Sequence, residues 1–194
     1  MPLLTTQSAR SYGLGRLVSY DIGDYYFITS QTVGAGGTAQ IDFNSIPTTY
    51  KHLQLRYIGK SGRSNSSNGW LSIKINGSWP DYASSVSYVN GTMSEVTYTP
   101  GATTGYFLAA PGTTANSACF GQGVIDFLDY RNTNKLKVAT TTSSVNNAAG
   151  DAIIIQAAQM LNSTSAITSI SILSTDGTTI QQNTKFSLYG IVGN

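Results

Sequence analysis

Side chains able to do chemistry are scarce in this chain. Histidine occurs once, at His52, cysteine once, at Cys119, and glutamate once, at Glu95. One histidine rules out a histidine-based metal cluster, and one cysteine rules out an internal disulfide or a multi-cysteine metal site. A Ser/His/Asp triad would have to be built on His52. The sequence has no G-x-S-x-G elbow, however, and His52 opens an alternating segment on its outward face, so a structural role is expected for it. Asp126 and Asp129, in Val124-Ile125-Asp126-Phe127-Leu128-Asp129-Tyr130, are the most suggestive carboxylates. Glycoside cleavage needs two carboxyls about 5–10 Å apart across one bond. Residues three apart on a strand face opposite sides of the sheet, so these two do not make such a pair. Asp126 is read as a polar-face residue, and Asp129 as the start of the turn Tyr130-Arg131-Asn132-Thr133-Asn134. Gly34-Ala35-Gly36-Gly37 and Gly121-Gln122-Gly123 lack the lysine and following helix of a phosphate-cradling loop. The expectation is a protein without catalytic residues, metal or cofactor.

Binding leaves one opening. Trp79, Tyr82 and Tyr88 lie in or beside the loop-rich segment Ser78-Trp79-Pro80-Asp81-Tyr82, and exposed aromatic rings can stack on sugars. The competing reading is that they are core. Four N-x-S/T sequons, at Asn65, Asn76, Asn90 and Asn162, are expected by chance in a chain rich in Asn, Ser and Thr.

The elements that must position these residues are strands. Leu53, Leu55 and Tyr57 alternate with Gln54, Arg56 and Ile58, and Leu71, Ile73 and Ile75 alternate with Ser72, Lys74 and Asn76. Ile170 and Ile172 repeat the pattern. Period two with one apolar face predicts half-buried antiparallel strands. Further strands are expected at 24–30, 38–43, 105–109, 118–128, 135–142, 152–160 and 184–191. Asn76-Gly77, Asn90-Gly91 and Asp176-Gly177 are turn signals, and 32–38, 59–69, 99–104, 110–117 and 143–151 read as loops. Residues 151–161 are the one plausible helix, but the Ile153-Ile154-Ile155 run favours a buried strand. Nine or ten strands without βαβ alternation predict an all-β antiparallel β-sandwich with jelly-roll topology. Cys119, in an apolar run, is expected to be buried.

The 194 residues fit one domain, 21–194, preceded by an irregular arm, 1–20, in which neither period holds. Hydrophobic residues make up 40% and tyrosines number 12, enough for a core and against disorder. Only 10% of residues are charged and the net charge is +2. Such a balance does not suit an electrostatic nucleic-acid binder, and Arg56, Lys60 and Arg63 are read as a solvated face. A surface of hydroxyls and amides suits a protein packed into an assembly. No export signal is read at Met1-Pro2-Leu3-Leu4, and no apolar run is long enough for a membrane span.

Five segments carry a resemblance. Ser45-Ile46-Pro47-Thr48-Thr49-Tyr50-Lys51-His52-Leu53-Gln54-Leu55-Arg56 resembles a recurrent domain of bacteriophage virion proteins, often described as tail-fibre or virion structural proteins. The likeness continues at Val124 to Lys135, at Ala166-Ile167-Thr168-Ser169-Ile170 and at Phe186-Ser187-Leu188-Tyr189-Gly190-Ile191, and Ala9 to Gly15 looks like the amino-terminal arm of such proteins. The resemblance implies a non-enzymatic virion component partnered by other virion proteins, without saying where on the particle; with the irregular arm and the charge-poor composition, the tail or fibre apparatus is the first expectation. A homotrimer is expected. The alternatives are a capsid decoration protein and a carbohydrate-binding adhesin module that holds a host-surface glycan through Trp79, Tyr82 and Tyr88. Arg10, Tyr12, Leu14, Arg16 and Leu17 are the residues expected to dock the arm to the particle.

Overall fold

The alternating segments fold as strands, and no helix occurs among the described residues. A computed structural model describes residues 24–89, 92–98, 108–147, 150, 152–175 and 178–193, with backbone alone for 82–89 and 93–98. The arm 1–20, with Arg10, Tyr12, Leu14, Arg16 and Leu17, lies outside them. The strands are β1 (Tyr25–Thr32), β2 (Gln40–Phe43), β3 (His52–Gly59), β4 (Asn68–Ile75), β5 (Tyr82–Val89), β6 (Thr92–Tyr98), β7 (Leu108–Pro111), β8 (Gly121–Phe127), β9 (Lys137–Asn146), β10 (Ala152–Leu161), β11 (Ile170–Ser174) and β12 (Lys185–Ile191).

They form two antiparallel sheets packed as a sandwich. One has eight strands in the order β1-β12-β3-β8-β9-β10-β5-β6, and the other has four in the order β2-β11-β4-β7. The segment 152–161 is strand β10, as its isoleucine run predicts. Two strands have no counterpart in the sequence reading, β5 and β6. In Tyr82-Ala83-Ser84-Ser85-Val86-Ser87-Tyr88-Val89 the alternation of Tyr82, Val86 and Tyr88 is broken by Ser84 among three further small residues, and the pairing partners establish the strand. Tyr82 and Tyr88 are therefore strand residues and not loop residues. The expected loop 143–151 also shrinks, because β9 runs on to Asn146.

Between the sheets lie Leu53, Leu55, Leu71, Ile73, Ile125, Phe127, Phe186 and Leu188, all without solvent exposure. Each fully buried side chain of this kind contributes about 1.5–3 kcal/mol. Tyr57 stacks on Phe186 with ring centroids 5.2 Å apart. The Tyr57 hydroxyl donates to the Ala109 carbonyl at 2.9 Å, and the Ala109 N–H donates to Ser143 Oγ at 3.1 Å. Burial pushes the Tyr57 phenol well above its ordinary pKa. These bonds cross from one sheet to the other and occupy backbone groups of β7, an outermost strand of the smaller sheet. An edge tied in this way offers less to a passing strand. The approach needs Gly121, since a Cβ there would run into the Ala109 backbone.

Candidate functional site

The outer face of the larger sheet is built by the residues that alternate with the core. On β3 these are Gln54, Arg56 and Ile58. Register places Tyr189 beside Gln54, Asp126 beside Gln54 on the other flank, and Val124 beside Arg56. Beyond β8 the face continues through Thr140 and Thr142 to Ala158, Gln156 and Ile154. Phe27 is 61% exposed, Ile154 51% and Ile58 48%, so single large apolar side chains reach solvent on β1, β3 and β10, with Gln122 and Ser144 between Ile58 and Ile154. A shallow groove of about 510 Å³ runs over β3, β8, β9 and β10, lined by Arg56, Gln122, Val124, Thr142, Ser144 and Ile154.

Charge on this face is held close to the sheet. The Arg56 guanidinium lies 5.3 Å from the centre of the Tyr25 ring and 5.1 Å from that of Tyr189, and Phe27 meets Tyr189 edge to face at 5.8 Å. Arg56 Nε donates to Gln54 Oε1 at 2.6 Å, and Gln54 Nε2 donates to Asp126 Oδ1 at 2.8 Å. The chain Tyr25–Arg56–Gln54–Asp126 fixes a planar cation over aromatic rings with its fork partly committed. The result is a face on which the guanidinium is held against aromatic rings and a carboxamide and is not left free in solvent.

A second constellation lies where β3 begins, and it gathers residues from the four segments of the resemblance that lie among the described residues. The Tyr130 side chain is fully buried, and its hydroxyl donates to the Pro47 carbonyl. Arg131 Nη1 donates to the Thr48 carbonyl at 2.8 Å. The Ile167 N–H donates to the Tyr130 carbonyl at 2.9 Å, the Ile46 N–H to that of Thr168 at 3.1 Å and the Lys51 N–H to that of Ile191 at 2.9 Å. Gly190 lies against the Tyr50 ring, where a Cβ would not fit. Asp129 takes a positive φ of 49°, and its carbonyl accepts the Asn132 N–H at 2.9 Å, which closes the turn. Lys137, 1% exposed, donates to the carbonyls of Asn132 and Lys135 and so holds the turn from beneath. Burial keeps its ammonium below the ordinary lysine pKa.

Of the residues considered for catalysis, His52 and Asp129 belong to this framework. His52 Nδ1 accepts the Asp129 N–H at 2.9 Å, which puts its ring proton on Nε2. Its 3.9 Å approach to Asp129 Oδ1 is therefore not an ion pair. Asp129 instead receives Lys135 Nζ at 2.7 Å, and this bond holds its carboxyl below the ordinary value. Asp126 belongs to the outer face and Asp129 to the turn beyond it, so no single groove brings the two carboxylates together.

The three aromatics considered for sugar binding do not form one cluster. Trp79 is half-buried, with Lys74 Nζ 4.7 Å from the centre of its ring. Tyr82 pairs with Met160 and Tyr88 with Ile154 at opposite ends of β5, six residues or roughly 20 Å apart. Cys119 is half-exposed in the loop before β8, a correction to its expected burial: the apolar run is too short to be part of the strand, which starts at Gly121. Of the three cations read as a solvated face, Lys60 is only 8% exposed. Sequence reasoning missed it because the loops that cover it come from elsewhere in the chain. Compared with protein-family models, with curated proteins and with solved structures, the chain matches none.

Proposed function

We propose that this chain is a non-enzymatic structural subunit of a tailed-bacteriophage particle, belonging to the tail or fibre apparatus, and that it assembles with copies of itself through the outer face of the larger sheet. The observation that carries the reading is the charge-poor outer face, on which Phe27, Ile58 and Ile154 are large apolar side chains exposed among polar ones. Exposed large apolar side chains rimmed by polar residues mark interaction sites. Its two halves differ: the β1–β12–β3 side presents aromatic rings and a guanidinium, whereas the β9–β10 side presents Thr142, Gln156 and Ile154. Contact between unlike halves closes a ring around a symmetry axis, and a trimer is the smallest such ring. The family resemblance supports the virion assignment, since its residues build the framework at the start of β3.

A jelly roll accounts for the strand order. Without β5, β6, β9 and β10, the sheets reduce to β1-β12-β3-β8 and β2-β11-β4-β7. The first and last strands pair, and successive strands alternate between sheets except for β4 and β7, which pair directly. Two Greek keys of four strands require this order. The hairpins β5–β6 and β9–β10 are then insertions that widen one sheet and its contact face.

Light scattering of the purified chain, with cross-linking and mass spectrometry of intact particles, tests the proposal. A trimer is expected, together with cross-links from the chain to other tail proteins. Phe27→Glu and Ile154→Glu are expected to yield folded monomers. A monomeric wild-type protein, or particles that lack the chain, overturns the reading, and cross-links to head proteins move it to capsid decoration.

A further inference from the structure

Lys60 follows the last residue of β3 and turns inward among three loops. Among the described residues its ammonium donates to the Asn116 carbonyl at 2.9 Å, and no described carboxylate is paired with it. An ammonium carries three donors, and a charge withdrawn from water is costly unless it is paired. The base of the side chain is fixed. The Lys60 N–H donates to Thr184 Oγ1 at 3.0 Å, and the Lys60 carbonyl accepts the Gln181 N–H at 2.9 Å. The Asn116 carbonyl is fixed as well, since it also accepts the Cys119 N–H at 2.9 Å. Lys60 therefore holds its place without a counter-charge from the described residues.

The same lysine lines a cavity of about 510 Å³, whose other polar walls are Thr113, Ser117, Gln181, Gln182 and Asn183, with Phe120 half-buried beside them. Gln181 Nε2 is committed to Thr179 Oγ1 at 2.9 Å, which turns its Oε1 into the group left to accept. One cation, three carboxamides, two hydroxyls and an aromatic ring make a specific set. The ammonium meets a single negative charge, carboxamides and hydroxyls exchange hydrogen bonds with ring hydroxyls, and an aromatic ring covers the apolar face of a sugar. A phosphate monoester carries about 1.5 to 2 negative charges at neutral pH and would leave part of that charge unmatched by one lysine.

We propose that this cavity is a binding site for a carboxylated sugar of the hexuronic acid class, with the Lys60 ammonium on its carboxylate. The site involves none of Trp79, Tyr82 and Tyr88, and it does not depend on which assembly the sheet face joins. Titration of the full chain with D-glucuronate, followed by amide NMR, tests it, with D-glucose, acetate and inorganic phosphate as parallel titrations. Saturable shifts confined to residues 60, 113–118 and 181–183 are expected with glucuronate, and weaker ones with glucose or acetate. Lys60→Met is expected to weaken glucuronate binding about tenfold or more, because the ammonium is withdrawn from water where it meets the carboxylate. Should Lys60→Met not fold, Ser117→Trp fills the cavity from its exposed rim and is expected to abolish the shifts. No saturable response to glucuronate, unchanged affinity in a folded Lys60→Met or in Ser117→Trp, or tighter binding of phosphate than of glucuronate overturns the proposal.

Discussion

Where β3 begins, the loops 44–51, 128–136 and 162–169 are joined largely by side chains: Tyr130 to Pro47, Arg131 to Thr48, His52 to Asp129 and Lys137 to two carbonyls. Where β3 ends, the loops 60–67, 112–120 and 178–184 are joined mainly backbone to backbone. The Ser61 N–H meets the Pro111 carbonyl at 2.9 Å, Gly62 meets Thr179 at 2.7 Å, Thr113 meets Arg63 at 2.9 Å and Gln181 meets Lys60 at 2.9 Å. The physical consequence is a division of labour. Polar side chains at the first end, Tyr130, Arg131, His52 and Lys137, hold the loops together. Main-chain bonds at the second end hold the loops and leave Lys60, Ser117, Gln181 and Gln182 to face a cavity.

If the first end is a framework, substitutions there must unfold the protein most easily. Tyr130→Ala removes a buried ring and strands the Pro47 carbonyl, and urea unfolding is expected to show a loss of about 3–5 kcal/mol. A loss below roughly 1 kcal/mol, the ordinary cost of a surface change, would break the comparison. Gly190→Ala forces a methyl against the Tyr50 ring and is expected to cost about 1–3 kcal/mol in the same assay. The glycine is needed for the close approach and not for its backbone freedom.

Asp129 sharpens the comparison through pH. Its hydrogen bond from Lys135 holds the carboxyl below its ordinary value of 3.8. A carboxyl lowered in the folded state stabilises the fold above its unfolded pKa, and that contribution is lost as pH falls through the folded value. Asn tolerates the φ of 49° nearly as well as Asp, so Asp129→Asn isolates the charge. Thermal melts should show wild type above the variant at neutral pH, with the gap closing as pH is taken below 3.8. A gap that persists unchanged in acid would mean that the charge is not its source. The smallest effect belongs to the second end. Gln182→Ala, at an exposed position, is expected to change stability by no more than about 0.5 kcal/mol in urea unfolding. A larger loss would show that the cavity wall also holds the fold.

The candidate site was only partly legible. Alternation on β3 named Gln54, Arg56 and Ile58 as an outer face, and the Asp129 turn was read from its own residues. The groove over that face was not legible, since it needs β8, β9 and β10 laid beside β3 in register. Nor was the β5–β6 hairpin. Its two strands are rich in Ser and Thr, so the alternation of Tyr82, Val86 and Tyr88 is interrupted, and Asn90-Gly91 marks a turn without saying what flanks it.

The sequence by itself determined what is local. Period two set the strands and their inward residues, glycine and asparagine set turns, and a scarcity of charge set the character of the surface. Tertiary structure alone decided which strands are neighbours. Pairing between β12 and β3, residues far apart in the chain, brought Tyr189 to Arg56, and the loops before β4, β8 and β12 met around Lys60. Burial of an ammonium is a property of what other segments place over it, and no pattern along a single strand encodes that.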